Sequence, residues 1–192
     1  MTDIIMIVVA YFIGTFPSAY LCGRLFKDLD IRQTGSGNVG AMNTMKHVGY
    51  LPGILTLVAD VVKGALAVYL ATLYGSWPLI PLLAAFFVVL GHNYNIFLGL
   101  KGGKGLGSLT GSMLVLSPIT FLYILALVIL ITLLIRDTNT ASGLGILTLP
   151  VILGLQKGEL AFYLVGAAIS LLVAVKHIRD FKAYLQGRRR LI

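Results

Sequence analysis

Seven apolar runs, at about 4–24, 52–74, 78–98, 105–116, 118–135, 143–155 and 160–176, alternate with short polar segments rich in glycine and basic residues. A helix that crosses a ~30 Å hydrocarbon core needs roughly 20 apolar residues, and all but two of the runs reach or approach that length. The exceptions, 105–116 and 143–155, are short and start with glycines, which fits tilted, re-entrant or partial helices packed inside a bundle. The pattern predicts an all-α fold: a polytopic membrane helix bundle of about seven transmembrane helices, two of them short, forming one integral domain over residues 1–192. The first run, Ile4 to Leu21, lacks the basic start of a signal peptide, because Asp3 is the only charge before Arg24, and it reads as the first span.

The polar segments set the expected topology. Lysine and arginine gather at Arg24, Lys27, Arg32 and Lys46, at Lys101 and Lys104, at Arg136 and in the tail 176–190, whereas the turn YGSWPLIP at 74–81 carries none. By the positive-inside rule the basic segments face the cytoplasm, with the N-terminus outside and the C-terminus cytoplasmic. All the glycine-rich or polar loops then share one face. Reading 105–135 as a single crossing would strand Arg136 and the loop 137–142 on the opposite side. Tyr74 and Trp77 fit an aromatic belt at the outer surface, and the tail Arg188–Arg190 reads as a topology signal and a contact for acidic headgroups.

Composition narrows the class. The chain is 58% hydrophobic and 11% charged, against roughly 45–50% and ~25% for soluble domains. Its formal charge of +8, from 15 basic against 7 acidic residues, points to an anionic membrane surface or anionic substrates, since the hydropathy argues against nucleic acid. The single cysteine, Cys22, excludes an intrachain disulfide.

The polar segment TGSGNVGAMN, 34–43, spells G-x-G-x-x-G through Gly35, Gly37 and Gly40, and Asp60 follows about twenty residues on. A dinucleotide fold needs a buried strand before those glycines and a soluble parallel sheet around them, and the charged stretch RLFKDLDIRQT and the span after the loop provide neither. The backbone chemistry survives without that context. Glycines let successive N–H groups converge on an anion and let a phosphate approach the chain closely. Ser36, Asn38, Asn43 and Thr44 add neutral donors, and Lys46 adds charge. Asp60 and Lys63 share one helical face, either to hold neighbouring elements together or to mark a functional path.

A second loop, GHNYNIFLGLKGGKGLGSLTG at 91–111, places Lys101, Gly102, Gly103, Lys104, Gly105 and Gly107 at the start of an apolar run. It is no Walker A loop, because Leu98 stands where the first glycine belongs and Gly105 where the Ser/Thr belongs. A lysine among glycines at a helix N-terminus is nonetheless a second phosphate cradle. His92 is either a base or a capping donor, His177 lies at the same level as the basic loops beside Arg179 and Asp180, and His47 reads as an exposed loop residue. The histidines have no metal-ligand spacing, and no metal is expected. The segment RDTNTASG, 136–143, contributes Arg136 and Ser142, the serine serving either as an N-cap or as a phosphate donor. Neither a G-x-S-x-G elbow nor an H-x-x-x-x-D pair occurs, so no covalent acyl-enzyme is indicated.

Taken together, DIRQTGSGNVGAMNTMKHVG (30–49), DVVKG (60–64), GHNYNIFLGLKGGKG (91–105) and KHIRD (176–180) resemble the bacterial acyl-phosphate-dependent glycerol-3-phosphate acyltransferases, the PlsY family. The similarity runs from Gly14-Thr-Phe-Pro17 to the tail. It implies transfer of a fatty acyl group from acyl phosphate to the 1-hydroxyl of glycerol 3-phosphate, giving lysophosphatidate and inorganic phosphate. The implied setting is the bacterial inner membrane with the active site on the cytoplasmic face, membrane lipids as surroundings, no cofactor, no nucleic acid and no obligate protein partner. Carried over by position, the first motif implies Ser36, Asn38 and Asn43, with Lys46 in place of a usual arginine and so without its bidentate fork. The second implies His92, Gly102, Gly103, Lys104 and Gly105, with Asn95 in place of a usual proline. Ser142 matches the serine before the last but one span, and the third motif implies His177, with Asp180 in place of a usual asparagine.

On this resemblance Lys104, His177, Ser36 and Ser142 are the expected catalytic set. Lys104, Ser36 and Ser142 are expected on the acyl phosphate, and Lys46, Asn38 and the 102–105 backbone on glycerol 3-phosphate, the division between the two phosphates remaining open. The hydroxyl proton goes either to His177 or to a substrate phosphate, whose second pKa is near ~6 by analogy with a phosphorylated side chain. A small transporter or channel for an anionic solute is the competing reading, since glycine-broken helices and cationic loops also line permeation paths.

Overall fold

The computed structural model describes residues 1–187, so the basic run Arg188–Arg190 lies outside the described residues. The described residues form helices and connecting turns, with no strand among them. Among the described residues, six helical stretches are long and apolar enough to cross a membrane: Thr2–Lys27, Tyr50–Tyr74, Ile80–Leu98, Pro118–Ile135, Thr138–Lys157 and Leu160–Leu185, with Leu106–Leu116 as a shorter apolar helix. The backbone groups into two compact units, Met1–Leu116 and Ser117–Ile192.

The first unit contains α1 (Thr2–Gly14), α2 (Ser18–Lys27), α3 (Ala41–His47), α4 (Tyr50–Tyr74), α5 (Ile80–Asn93) and α6 (Leu106–Leu116). Glycines set how closely its helices pack. A methyl group at Gly64 of α4 would strike the Ser108 carbonyl of α6, and one at Gly111 of α6 would strike the Val61 carbonyl of α4. The Ser112 hydroxyl donates to the Gly64 carbonyl across the same contact, at 3.3 Å. On the other side of the unit, Gly14 and Gly91 bring α1 against α5 in the same way. Where lipid competes for apolar surface, small residues that let backbones approach, and hydroxyls that bond across the seam, carry helix association.

The first apolar run is not one helix. It breaks at Thr15–Pro17, where Pro17 has no N–H and disfavours a helical Phe16. The break frees carbonyls that would otherwise be satisfied inside a helix. The Asn95 side-chain amide donates to the Thr15 carbonyl at 2.6 Å, and the Lys63 ammonium donates to the Phe16 carbonyl at 3.1 Å. Lys63 is itself paired with Asp60 at 2.8 Å, and the Ser18 hydroxyl, at the start of α2, donates to the same Asp60 oxygen at 2.7 Å. Asp60 and Lys63 therefore fasten the broken helix to α4.

Beyond α2, Asp28 closes the helix in the left-handed conformation and a short turn follows at Ile31–Gln33. Asp30 organises that turn. Its carboxylate accepts from the Arg32 backbone N–H at 3.0 Å and from the guanidinium at 2.6–3.2 Å, while the guanidinium lies 5.1 Å from the Tyr20 ring centroid. The Arg32 guanidinium holds the Asp30 carboxyl down at about 2, and Asp30 raises Arg32 in return.

The second unit contains α7 (Pro118–Ile135), α8 (Thr138–Gly145), α9 (Leu149–Lys157) and α10 (Leu160–Leu185). Ser117 caps α7 from the residue before Pro118, so α6 and α7 are separate helices, as the two apolar runs predict. The Gln156 side-chain oxygen accepts from the Ser117 and Thr120 hydroxyls at 3.0 and 2.9 Å, tying α9 to the start of α7. The run expected at 143–155 is longer than its hydropathy shows. Asp137 accepts from the Thr140 N–H at 2.7 Å and starts α8 at Thr138, drawing the polar residues 138–142 into the helix. Ser142 is thus inside α8 rather than at its cap, and its hydroxyl donates to the Thr138 carbonyl at 2.8 Å.

Two measurements test these contacts. Gly111→Val inserts branched carbon where the Val61 carbonyl stands and is expected to destabilise by about 1–3 kcal/mol, a fall in apparent Tm on the order of 5 °C in detergent; an unchanged Tm would contradict the α4–α6 seam. Because the folded Asp30 pKa lies below its unfolded value, the pair's contribution to stability is present above roughly pH 4 and is lost as pH falls through about 2. Carboxyl-carbon NMR should find the Asp30 midpoint near 2 and, in Arg32→Gln, moved up towards ~3.9. The same midpoint in both proteins would exclude Arg32 as the cause.

Candidate active site

The first glycine loop connects the Asp30 turn to α3. Gly35 and Gly37 take φ of 59° and 70°, the left-handed region that glycine enters without strain. Gly35 also has a neighbour that excludes a side chain, because a methyl there would strike Nε2 of His47. The Asn43 amide donates to the carbonyls of Ile31, Thr34 and Asn38 at 3.3, 2.9 and 3.0 Å and accepts from the Ser36 N–H at 3.2 Å. Asn43 is buried, and its side chain shapes the loop from within. Ser36 and Lys46 are exposed and Asn38 is half-buried, and the Ser36 hydroxyl accepts from the Asn38 N–H at 3.4 Å. His47, expected as an exposed loop residue, is exposed but rests against Gly35. Its carbonyl accepts from Lys27 at 3.0 Å, which closes the C-terminal end of α3 with a cation.

The second loop leaves α5 at Asn93, makes a turn at Ile96–Leu98 around Asn95 and returns through Gly99 and Leu100, both at positive φ. Residues 101–105 then lie along the end of α5. The Gly103 N–H donates to the His92 carbonyl at 3.2 Å. Methyl groups at Gly102 and Gly103 would strike the His92 carbonyl and His92 Nε2 respectively, and Gly105, at φ 86°, faces the Asn93 side chain. Glycine is needed here for close approach, and that flat approach leaves Lys104 half-buried immediately before α6.

The two loops meet. The same Gly103 position is bounded on its other side by the carbonyl of Val39 from the first loop, so both glycine segments belong to one surface of the first unit. Beneath them, His92 Nδ1 lies 3.5 Å from the Asp60 carboxylate, and Asp60 in turn abuts Gly107 at the start of α6. His92 and Asp60 are both buried. The sequence reading placed His92 among the substrate ligands; the structure places it between Asp60 and the second loop.

The second unit holds the other expected residues. Gly143 of α8 packs so closely on His177 of α10 that a methyl group would come within 2.9 Å of the histidine Cβ. This sets Ser142, the preceding residue, on the helix that abuts His177. His177 is buried, and its Nδ1 lies 2.9 Å from the Val173 carbonyl. A carbonyl only accepts, so Nδ1 carries the hydrogen, and in the neutral form of the ring the lone pair stands on Nε2. Asp180 is buried one turn further along α10.

Sequence reasoning missed Ser18, Asn95 and the link between Asp60 and His92. Asn95 had a signal, as an Asn between tyrosine and an apolar triplet opens an Asx turn, and its side chain does accept from the Phe97 N–H at 3.0 Å. No local signal connects Asp60 to His92, because the pair forms only when α4 and α5 pack. No group of three or more His, Cys, Asp or Glu among the described residues is arranged to hold a metal ion.

Comparison with known proteins bears on this arrangement over the whole chain. Residues 4–187 match the family model described as glycerol-3-phosphate acyltransferase. A Dehalococcoides mccartyi protein named glycerol-3-phosphate acyltransferase 1 is 37% identical over 198 aligned positions, covering 97% of this chain and 94% of the relative. An Alkaliphilus metalliredigens glycerol-3-phosphate acyltransferase is 32% identical over 192, covering 100% and 97%. The crystal structure of PlsY (YgiH), an integral membrane glycerol 3-phosphate acyltransferase, superposes in its glycerol 3-phosphate form with a TM-score of 0.90 at 26% identity, covering 100% of this chain and 96% of that one. Its lysophosphatidic acid form gives 0.87 at 25% identity. With family, relatives and fold agreeing over nearly the full length, the chain belongs to the glycerol-3-phosphate acyltransferase family as a multi-pass membrane member.

Proposed function

We propose that the protein transfers a fatty acyl group from an acyl phosphate to the 1-hydroxyl of sn-glycerol 3-phosphate. The oxygen of that hydroxyl attacks the acyl carbonyl carbon, the bond from that carbon to the phosphate oxygen breaks, and inorganic phosphate leaves with the electron pair. Lysophosphatidate is the other product. The observation that carries the reading is the meeting of the two glycine loops at Val39 and Gly103, which brings the loop of Ser36 and Asn38, followed by Lys46 in α3, to the 102–105 backbone and Lys104 of the other. Two polyanions must approach each other during the reaction. A lining of lysines and polar loop groups lowers their repulsion and is already in place before charge develops.

Ser36 and Lys104 hold the acyl phosphate in this reading, and Asn38, Lys46 and the 102–105 backbone hold glycerol 3-phosphate. Asn43 and His92 act behind them, Asn43 through its amide bonds to the loop backbone and His92 through a ring that stands between Asp60 and Gly103. Ser142 and His177 enter from the resemblance of their segments to the family, Ser142 as a phosphate donor and His177 as the protein's base. The Nδ1–H tautomer supports the second role, since it keeps the lone pair on Nε2. The departing phosphate is a second acceptor for the hydroxyl proton. Acyl phosphate is amphiphilic, which accounts for an enzyme embedded among apolar helices, and the concentration of lysine and arginine in the glycine-rich loops supports a reaction on the cytoplasmic face of the bacterial inner membrane with the N-terminus outside.

Purified protein in detergent, supplied with palmitoyl phosphate and glycerol 3-phosphate, is expected to release inorganic phosphate in step with lysophosphatidate. Absent release, or equal release without glycerol 3-phosphate, would defeat the transferase reading. Lys104→Ala removes a preorganised cation and should lower kcat/KM by roughly 100-fold; turnover at the parent rate would take Lys104 out of the site.

A further inference from the structure

Asp60 is a buried carboxylate in the middle of α4 that no step of the reaction uses. Its surroundings are more specific than helix fastening requires. One oxygen, Oδ1, is approached by the Lys63 ammonium at 2.8 Å, the Ser18 hydroxyl at 2.7 Å and His92 Nδ1 at 3.5 Å. The first two contacts hold the break between α1 and α2. The third is to a residue that contacts the glycine loop.

His92 grips that loop twice. Its carbonyl accepts from the Gly103 N–H, and its ring presents Nε2 to the space that a Gly103 side chain would take. An imidazole held at Nδ1 by a carboxylate cannot turn about its own axis without breaking that contact, so Asp60 determines where Nε2 stands. Asp60 also abuts Gly107, which places it at the foot of the helix that the loop leads into. The 101–105 segment is thereby seated from below by α4 and α5, while the carbonyl of Val39 bounds it from the first loop.

We propose that Asp60 is a positioning residue for the phosphate-monoester pocket of the acceptor substrate, acting through His92 to set the Lys101–Gly105 loop. The proposal rests on the acyltransferase reading and deepens it. It assigns Asp60 and His92 to glycerol 3-phosphate rather than to the acyl donor, because both contacts of His92 fall on the backbone at Gly103, which holds the acceptor, and not on the Lys104 side chain. It separates two functions of one carboxylate: the Lys63 and Ser18 side serves the helix break, and the His92 side serves the site.

The experiment is a double-mutant cycle on the full-length protein in detergent, reading KM for each substrate, kcat and apparent Tm. Asp60→Asn and His92→Ala are each expected to raise KM for glycerol 3-phosphate about tenfold, ~1.4 kcal/mol, with KM for palmitoyl phosphate changed less than about twofold. The double variant is expected to match His92→Ala alone, since Asp60 acts through the ring that is already gone. Additive effects, near 100-fold in the double variant, would overturn the proposal, as would equal rises in both KM values or a fall in Tm with KM unchanged. If Asp60→Asn does not fold, Asp60→Ser with Lys63→Met removes both charges of the buried pair together and takes its place in the cycle with the same expected outcomes. A parent protein that shows no glycerol 3-phosphate-dependent turnover would defeat the transferase reading, whereas an additive cycle in an active protein defeats this inference alone.

Discussion

A break in a helix among apolar neighbours leaves backbone carbonyls that must find donors, and much of the first unit follows from how they are found. Pro17 ends the regular path of the first apolar run, and the exposed acceptors at Thr15 and Phe16 are met by Asn95 and Lys63. A lysine brought into that setting needs a counter-charge, and Asp60 supplies it. The desolvation of such a pair offsets much of its mutual attraction. What it provides is specificity, because only one rotation and one register of α1, α2 and α4 brings Lys63, Phe16, Ser18 and Asp60 together.

That register carries through to the glycine loops. α4 is held to α6 by Gly64, Gly111 and Ser112, and α1 to α5 by Gly14 and Gly91, so the end of α5 and the start of α6 meet the same face of α4. His92 and Gly107 arrive beside Asp60 for this reason. The polar cluster that satisfies the break is continuous with the residues that seat the second loop. In lipid, where a polar group without a partner is costly, one cluster that serves both needs limits the number of polar side chains the bundle must hold.

The two loops use glycine differently although both bind anions in the proposed reaction. In the first, Gly35 and Gly37 turn the backbone into the left-handed region while Asn43 ties the turn together from inside. In the second, Gly102 and Gly103 let the chain lie flat on the end of α5, where any side chain would collide with His92. The lysines differ accordingly, Lys46 exposed on a short helix and Lys104 half-buried against the loop that it follows.

The hydropathy pattern correctly placed an all-helical membrane bundle, the short helix at 106–116 and the break before Pro118, because length and apolar content decide what a bilayer accepts. It missed the break at Pro17, which has apolar residues on both sides, and the start of α8, where Asp137 caps a polar first turn. The glycine loops and their lysines were legible as loops rich in backbone freedom and positive charge, since both are properties of residues in order along the chain. Their support was not. The partners of Asn43 and His92, and the contacts of Asp60, Ser18 and Asn95, come only from segments brought alongside one another. Which polar group faces which depends on the rotation and spacing of packed helices, and those are determined by close contacts between residues distant in the chain.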